Sequence, residues 1–447
     1  MKFGGTSVAD APAIRRFIEI VRTRLDKKPV VVVSALSQVT NILTDVCSKA
    51  AEGDYNNVVD LTLMVKTRHL NLCKELFGSN KDKLSKASAE IDKMLSGLLD
   101  VTKAVSFLRE ISDRRQAEII GMGELLSNIV VHHALNNEGI ICNKILARDF
   151  IITDNNYLKG RADHKQIKIK APSLIKKAFK DHQVVLTQGF ISTAKDGFPS
   201  LLGREGSDLT ATLIGMAIDA ELIEIWTDVD GIHTTDPRRV KNTKSITQMS
   251  FEVAEELSFF GAKVLHPLTV QPARSRNIPV KVLNSKNPSG QGTLILDADA
   301  VSQKGIKSVT CKENITLVYI VSDKSLATHD FLNSVFRIFN KYRTLIDLIS
   351  ISESCVALAI DNLSEPENLK EELGQFANIT LINDKSQVSI VGEELRETRG
   401  VMKKIFACME NFAIDMISAG GSDINISFVV NRDDLDKVLQ ILHDELF

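Results

Sequence analysis

The chain has 447 residues, which is too long for one domain and predicts two to four. Its 55 Lys and Arg residues nearly balance its 57 Asp and Glu residues, and a net charge of −2 argues against a general nucleic-acid-binding protein. No stretch reaches the roughly 18 apolar residues needed to cross a bilayer, and no apolar signal core follows the N-terminus, so we expect a cytoplasmic protein without a membrane partner. The six scattered cysteines form no C-x-x-C motif, which favours reduced thiols over a metal site or disulfides.

A short apolar strand opens the chain and ends in a glycine turn, Lys2–Ser7. Because glycine has no Cβ, backbone N–H groups in such a turn can approach an anion closely, and a lysine beside them can bind a phosphate. The stretch is not a Walker A loop, and taken alone it fits an ordinary strand-to-helix turn equally well. A helical pattern follows, and the apolar run Val30–Val33 predicts a strand buried on both faces. This βαβ order places Lys2 and Ser34 near strand carboxyl ends, where open α/β sheets bind ligands.

The next part of the chain is helical and then returns to strands. Residues 41–135 show helical periodicity only, and Glu124 stands in an apolar helix start, where a solvated side chain is the ordinary interpretation. Apolar runs at Ile140–Leu146 and Val184–Leu186 predict two strands, and Gly189–Ser192 predicts a turn after the second of them.

A second glycine turn carries an arginine. Arg204 lies between Gly203 and Gly206, just before a helix that is expected to run to about Ile218. Ser207 or Asp208 could simply cap that helix. The arginine in the same turn also suits a carboxylate or phosphate bound at a helix N-terminus.

Two further polar turns follow buried strands. Glu221–Trp226 predicts a strand that leads into the polar loop Thr227–Arg238, and function tends to lie in such loops. Lys263 follows a glycine two positions earlier, and Ile278–Leu283 predicts the last strand of the α/β region.

The C-terminal part contains an internal repeat. Ile346–Ser350 recurs 68 residues later as Ile414–Ser418, and each copy follows an amphipathic helix. Each also leads into a second strand, Cys355–Ile360 and Ile424–Val430. Two βαββαβ-like units are therefore predicted. They contain no clustered His, Cys or paired acids, so binding or assembly is the expected role.

Taken together, these stretches resemble the aspartokinases of the amino-acid kinase superfamily, in the family's order and spacing and over essentially the whole chain. The matching stretches are Lys2–Ser7, Val33–Ala35, Gly123–Glu124, Gly203–Asp208, Trp226–Asp228, Thr234–Arg238 and Phe260–Pro267. The resemblance implies an α/β fold: an amino-acid kinase domain, with a central mostly parallel sheet flanked by helices, followed by two ferredoxin-like ACT domains. The implied boundaries are 1–297 for the kinase domain, 298–312 for a linker and ACT-associated strand, and 313–380 and 381–447 for the ACT domains.

The resemblance implies the reaction ATP + L-aspartate → ADP + 4-phospho-L-aspartate, the first step of lysine, threonine and methionine biosynthesis. Lys2 and Asp208 would be catalytic, Arg204 would bind the α-carboxylate of aspartate, and Glu124 would bind its ammonium group. The residues implied to bind aspartate are Ser34, Thr40, Glu124, Arg204, Glu205, Gly206 and Ser207. Those implied to bind ATP are Lys2, Phe3, Gly4, Gly5, Thr227, Asp228, His233, Arg238, Lys263 and Val264. No protein metal site is expected, and Mg²⁺ would arrive with ATP.

This sequence departs from the family pattern at four places. Only one residue precedes Lys2, Glu205 stands where relatives often have a second glycine, His233 replaces a common Tyr, and Leu125 replaces a frequent Arg. None of these changes removes a charge central to phosphoryl transfer.

The paired ACT domains imply feedback inhibition by an amino acid, with lysine expected and threonine as the alternative. The matching effector positions are Ser325, Thr328, Asp330, Phe331, Leu332, Ile346, Asp347, Ser352 and Glu353. Asp347 and Glu353 would offer carboxylates to an effector ammonium group, or they are ordinary polar residues at strand ends. Because ACT units usually complete their sheets across subunits, a homodimer or a dimer of dimers is expected.

The sequence disfavours three alternatives to an aspartate kinase. A superfamily kinase acting on glutamate, acetylglutamate or a nucleotide is disfavoured by the long helical insertion and the ACT tail. A catalytically inactive amino-acid sensor is disfavoured by the intact Lys2, Arg204, Asp208 and Lys263. The front half of a bifunctional aspartokinase–homoserine dehydrogenase would need a dinucleotide fingerprint that this sequence lacks, so a monofunctional enzyme is expected.

Overall fold

The computed structural model describes residues 1–261, 267–323, 328–363 and 365–447. The chain forms two compact units, the first from Met1–Ile232 and Leu265–Asp297 and the second from His233–Val264 and Ala298–Phe447. The domain boundaries expected from the sequence stay predictions, since they follow motifs whereas this division follows packing. Within the described residues, no helix has the length and apolar character needed to cross a membrane.

The strands of the described residues, in chain order, are β1 (Lys2–Phe3), β2 (Val30–Val33), β3 (Cys142–Lys144), β4 (Ile152–Thr153), β5 (Val184–Gln188), β6 (Ile191–Ala194), β7 (Pro199–Leu201), β8 (Ile223–Thr227), β9 (Gln248–Ser250), β10 (Val280–Asn284), β11 (Thr293–Leu296), β12 (Gly305–Ser322), β13 (Leu348–Ile351), β14 (Cys355–Ile360), β15 (Ala377–Glu393), β16 (Met416–Ala419) and β17 (Asn425–Asn431). The α-helices are α1 (Ala11–Arg22), α2 (Val39–Glu52), α3 (Tyr55–Phe77), α4 (Lys81–Leu108), α5 (Asp113–Ile120), α6 (Met122–Asn137), α7 (His164–Ala178), α8 (Gly206–Ile218), α9 (Phe251–Phe259), α10 (Pro267–Arg274), α11 (Thr328–Lys341), α12 (Pro366–Leu373), α13 (Val401–Cys408) and α14 (Leu435–Leu446).

A central sheet organises the first unit, with strands in the order β3-β5-β2-β1-β8-β10-β11. All neighbouring pairs are parallel except β10 with β11, which confirms the predicted mostly parallel sheet. Phe3 lies opposite Val33 on one side and Trp226 on the other, and Val33 lies opposite Gln188. The residues that follow these strands therefore meet at one edge of the sheet, the carboxyl edge.

The strand that carries Lys2 has only two residues, and aromatic packing anchors it. Phe3 is completely buried, with its ring centroid 4.5 Å from that of Phe17 and 5.8 Å from that of Trp226. Burying one such side chain stabilises a fold by about 1.5–3 kcal/mol. The short strand is thus held by its neighbours on both sides, and Lys2 is placed at a fixed point of the carboxyl edge.

Helices α2 to α6 account for the stretch in which only helical periodicity was found, so that prediction is confirmed. The predicted turn at Gly189–Ser192 is wrong in part, because β6 begins at Ile191 and joins β4 and β7 in a small separate sheet. The predicted strand at Ile140–Leu146 shortens to β3. Both differences arise from pairing with strands distant in sequence, which local patterns do not report.

A single six-stranded sheet in the order β13-β14-β12-β15-β17-β16 organises the second unit. The long strands β12 and β15 pair along almost their whole lengths, from Gly305 opposite Glu393 to Ser322 opposite Ala377. The 68-residue repeat is confirmed, since β16 follows β13 at that offset, residue for residue. The amphipathic pattern of the second repeat predicts a helix from about Thr398 to Phe412, but α13 is shorter, because Gly400, with φ 82°, precedes its start at Val401.

Candidate active site

The turns after β1 and β2 touch at the carboxyl edge, and Gly5 allows the contact. A Cβ on Gly5 would lie 2.8 Å from the Ala35 carbonyl oxygen, so a larger residue would force the two turns apart. The resemblance implies that Gly4 and Gly5 lend backbone N–H groups to the phosphates of ATP. The N–H of Gly4 instead donates to the Trp226 carbonyl at 3.2 Å. Ser34 is half-buried directly beside this turn, and its backbone N–H donates to the Phe3 carbonyl at 3.1 Å.

Lys2 and Asp208 form an ion pair at this edge. The Lys2 Nζ lies 3.0 Å from Asp208 Oδ2 and 2.9 Å from Oδ1, with 10% and 12% of the two side chains exposed. Asp208 stands in the first turn of α8, so its carboxylate also lies at the positive end of that helix. This geometry supports the expected role of Asp208 in holding the catalytic lysine.

The turn before α8 is tightly wound and closely packed. Glu205 precedes the helix with φ 52°, a left-handed conformation that glycine adopts at lower cost, which explains why relatives often have glycine there. A Cβ on Gly189 would lie 2.4 Å from the Ser207 Oγ, so the turn after β5 packs directly on this helix start. Ser207 and Gly206 are buried, whereas Arg204 is exposed.

Glu124 is buried beside the same edge, in the first turn of α6, with 3% of the residue exposed. Its Oε1 accepts a 3.3 Å hydrogen bond from the Ala35 N–H, and its Oε2 has no hydrogen-bond partner among the described residues. Burial raises the pKa of Glu124 to about 8, against the smaller opposing effects of that hydrogen bond and the positive charge of Arg148. The solvated interpretation of Glu124 is therefore wrong, and the buried carboxyl suits a ligand ammonium group.

Arg148 is a buried charge that sequence reasoning missed. Its Nε and Nη2 atoms are buried without hydrogen-bond partners among the described residues, and Nη2 lies 3.0 Å from where a Cβ on Gly121 would stand. Burial lowers the pKa of Arg148, while the carboxylates of Glu118 and Glu124 oppose that effect. A lone arginine after an apolar run gives no motif, so only the folded chain reveals it as a cation near Glu124.

The remaining residues expected to bind substrate or ATP lie on α2, at the end of β8 and in the second unit. Thr40 lies half-buried in the first turn of α2. Thr227 and the exposed Asp228 stand at the end of β8, where the Thr227 Oγ1 donates to Asp228 Oδ1 at 3.3 Å. His233 and Arg238 belong to the second unit.

Within the second unit, the His233 Nδ1 lies 3.1 Å from the Thr243 Oγ1. Arg238 binds the Asp236 carboxylate through both Nε, at 2.9 Å, and Nη2, at 2.6 Å. Lys263 and Val264 lie outside the described residues. The described residues contain no group of three or more His, Cys, Asp or Glu that could hold a metal ion.

The expected effector residues divide into packed and exposed ones. Phe331 is buried in the hydrophobic core of the first repeat, and the partly buried Leu332 and Ile346 pack against that core. Their assignment to the effector stays a prediction. Ser352 and Glu353 are exposed in the turn between β13 and β14.

The remaining effector positions are Asp330, Thr328, Ser325 and Asp347. Asp330 is exposed on α11, Thr328 begins that helix, and Ser325 lies outside the described residues. Asp347 differs from the expectation of an open carboxylate, because its Oδ1 accepts a 2.7 Å hydrogen bond from the Lys312 Nζ.

Comparison with known proteins identifies the family. The sequence model of the amino acid kinase family matches residues 1–284. The lysine-sensitive aspartokinase 3 of Escherichia coli is 31% identical over 461 residues, which cover 100% of this chain and 98% of that protein. The chain belongs to the aspartokinase family. It is therefore an aspartate kinase.

Two solved structures share the fold of this aspartokinase. E. coli aspartokinase III in complex with aspartate and ADP, in the R-state, matches with a TM-score of 0.83 at 31% identity, covering 100% of this chain and 99% of that chain. The same enzyme in complex with lysine and aspartate, in the T-state, matches with a TM-score of 0.82 at 31% identity, covering 100% and 98%. A model of the ACT domain matches residues 388–446. These matches confirm the predicted kinase fold followed by ACT domains.

Proposed function

We propose that this aspartokinase converts ATP and L-aspartate into ADP and 4-phospho-L-aspartate, as the first step of lysine, threonine and methionine biosynthesis. The observation that carries the proposal is the ion pair of Lys2 and Asp208 at the sheet edge that also holds the buried Glu124. The E. coli relative of known structure binds aspartate and ADP, which supports the same substrates here.

The nucleophile in this reaction is the side-chain carboxylate of aspartate, which has a pKa of about 4 and is ionised at neutral pH. No general base is then required. The enzyme must instead neutralise two anions, hold them close together and align them for in-line transfer.

The roles follow from charge and position. Lys2 stabilises the transferring phosphoryl group, and Asp208 holds the Lys2 ammonium at the edge of the sheet. Arg204 binds the α-carboxylate of aspartate, and the partner-free Oε2 of Glu124 accepts from its ammonium group. The neighbouring aspartate contacts are assigned to Ser34, Thr40, Glu205, Gly206 and Ser207.

The nucleotide is assigned to a separate set of residues. These are Lys2, Phe3, Gly4, Gly5, Thr227, Asp228, His233, Arg238, Lys263 and Val264, with Gly4 contributing a contact other than its N–H. Mg²⁺ is assigned to the nucleotide phosphates, with which it would arrive. When bound, it neutralises part of the phosphate charge.

We further propose that an amino acid, lysine in the first place and threonine as the alternative, inhibits the enzyme through the ACT domains. The E. coli relative is lysine-sensitive and has been solved with lysine, which supports this choice. Asp347 and Glu353 would bind the effector ammonium group. A homodimer or a dimer of dimers would bring ACT domains of two subunits together.

Two assays test these proposals. Coupled measurement of ADP release with aspartate and with glutamate should show turnover with aspartate, and a clear preference for glutamate would overturn the substrate assignment. An inhibition panel of lysine, threonine and methionine should identify lysine. If threonine alone inhibits, the effector assignment changes, and if none of the three inhibits, the regulatory proposal fails while the catalytic one stands.

A further inference from the structure

A largely buried ion pair joins β12 to the residue directly before β13. Lys312, on β12, places its Nζ 2.7 Å from Asp347 Oδ1 and 3.9 Å from Asp361 Oδ2. The side chain of Asp347 is 3% exposed and that of Lys312 is 14% exposed. Asp347 Oδ2 is buried and has no hydrogen-bond partner among the described residues. Asp347 thus has one oxygen engaged by Lys312 and one left for another donor.

The same ammonium also contacts the end of α9. The Lys312 Nζ lies 4.4 Å from the centroid of the Phe259 ring and 5.9 Å from that of Phe260, within reach of a cation–π interaction. Phe259 is the last residue of α9. Lys312 therefore contacts both the expected effector carboxylate and this helix end.

Close backbone packing reinforces the contact between β12 and the end of α9. The Thr310 Oγ1 donates to the Phe260 carbonyl at 3.0 Å. A Cβ on Gly261 would lie only 2.5 Å from the Cys311 carbonyl oxygen, so the two backbones meet there without room for a side chain. The next residues in the chain, 262–266, include Lys263 and Val264, which are assigned to the nucleotide. A displacement of β12 at this point would thus act on the residues directly before them.

We propose that Lys312 couples the effector carboxylate Asp347 to the C-terminal end of α9, directly before the residues that we assign to the nucleotide. This inference rests on the proposed function for its effector and its nucleotide residues. An effector ammonium group at Asp347 Oδ2 would place a second cation on a carboxylate that Lys312 already shares. Repulsion between the two cations weakens the pair of Lys312 and Asp347, and it changes how the Lys312 ammonium lies on the Phe259 ring.

The second ACT repeat supplies an internal control. Asp415, 68 residues after Asp347, accepts a 2.6 Å hydrogen bond from Lys385, which lies on β15. Lys385 also donates to Asn431 at 2.7 Å. Among the described residues, the cation–π contacts with Phe259 and Phe260 are made by Lys312 and not by Lys385, so Lys385 repeats the ion pair without the contact to α9.

The test compares Lys312→Met, Lys312→Arg and Lys385→Met with the parent, each as the full chain. Two quantities are measured: the KM for ATP without any amino acid, and the inhibition and binding of lysine, the latter by calorimetry. We expect Lys312→Met to raise the KM for ATP at least threefold and the half-inhibitory lysine concentration at least tenfold, while lysine still binds within threefold of the parent. Lys312→Arg should restore both quantities, because it keeps the cation, and Lys385→Met should stay within twofold of the parent.

Each outcome decides the proposal. Lys312→Met with parental KM for ATP and parental inhibition would overturn it, and so would equal effects of Lys312→Met and Lys385→Met, which would indicate a general loss of ACT structure. If Lys312→Met fails to fold, the double variant Lys312→Met/Asp347→Asn removes both charges and is compared with the parent by its KM for ATP. A raised KM supports the proposal, and a parental KM overturns it. If lysine does not inhibit even the parent, the effector part of the proposed function fails, and the KM for ATP in Lys312→Met against Lys385→Met still decides the coupling.

Discussion

Lys2 and Asp208 are 206 positions apart in the chain, and their charged groups meet within 3.0 Å at the carboxyl edge of the central sheet. Lys2 reaches that edge on a two-residue strand, and Asp208 reaches it on the first turn of α8. The pair joins two glycine turns that are separate in sequence. Their meeting supports a common role in phosphoryl transfer.

Removal of the Lys2 ammonium should abolish most of the activity without unfolding the chain. We expect Lys2→Ala to lower kcat by roughly 10²–10³, the usual effect of losing one preorganised electrostatic group. Steady-state kinetics with a circular-dichroism check of folding would measure this. The exposed Lys27 provides a control, because Lys27→Ala should keep parental kcat. A Lys2→Ala enzyme with parental kcat would rule out the catalytic assignment.

Asp208 should act through Lys2 and not independently of it. We expect Asp208→Asn to lower kcat, because the Lys2 ammonium loses its fixed partner, and we expect the double variant with Lys2→Ala to be no slower than Lys2→Ala alone. A double-mutant cycle on kcat measures the coupling. Strictly additive losses would show that Asp208 has a separate role.

We expect the raised pKa of Glu124, about 8, to make aspartate binding pH-dependent, because Glu124 is proposed to bind the ammonium group of aspartate. The ammonium group of aspartate requires the ionised carboxylate, so the KM for aspartate should fall as pH rises from about 6.5 to about 8, by at most about tenfold per pH unit. Glu124→Gln should show a higher KM without that slope. An unchanged slope in Glu124→Gln would assign the titration to another group.

The raised pKa of Glu124 should also make the free energy of unfolding depend on pH. Between pH values of about 4.5 and about 8 the folded, ligand-free enzyme keeps a proton on Glu124 that the unfolded chain has lost. The free energy of unfolding therefore falls with rising pH over this range, by at most about 1.4 kcal/mol per pH unit. Relative to the parent, Glu124→Gln should thus be more stable at pH 8 than at pH 5 in thermal unfolding.

The positive charge of Arg148 should lower the pKa of Glu124. Removing its charge with Arg148→Met leaves the buried carboxyl without a nearby cation, so the pH at which the KM for aspartate levels off should rise. Arg148→Lys should shift it less. A merely structural role would lower the melting temperature of Arg148→Met without moving the pH profile.

Arg204 should determine affinity for aspartate more than turnover. Loss of a charge-assisted contact with the α-carboxylate in Arg204→Ala should raise the KM for aspartate by roughly 10–100-fold with a smaller change in kcat. Arg22, exposed at the end of α1, serves as the matched control. An unchanged KM would reassign Arg204 to a structural role.

The exposed Glu353 should affect regulation alone. We expect Glu353→Ala to raise the half-inhibitory lysine concentration roughly tenfold while aspartate turnover is kept, because the effector loses one of two carboxylates. Glu371→Ala, at an exposed acidic position on α12, should change neither. Equal lysine sensitivity in Glu353→Ala and the parent would remove Glu353 from the effector site.

Local sequence patterns predicted the parallel sheet and the helical insertion, because apolar periodicity and turn residues report these elements directly. The recurring stretch at an offset of 68 residues predicted the C-terminal repeat, and the resemblance to the family identified its units as ACT domains. The burial of Glu124 could not be predicted in that way. It depends on Gly123, where a Cβ would lie 3.0 Å from the Ala35 Cβ, and thus on a contact between α6 and a turn about 90 residues earlier.

The ion pair between Asp347 and Lys312 could not be predicted from the sequence for a similar reason. The sequence shows an acidic residue before a strand, but its partner Lys312 lies on β12, at a register shift in its pairing with β15. Such irregularities in strand pairing depend on the folded sheet and leave no local signal. The same holds for Arg148, whose neighbours come from other segments of the chain.

The two long strands β12 and β15 have a consequence for how the two ACT repeats unfold. Each strand serves one ACT repeat with one half of its length and the other repeat with the remainder. Neither repeat can be cut away without severing a strand of the other, and heat or denaturant should therefore melt both repeats in a single transition.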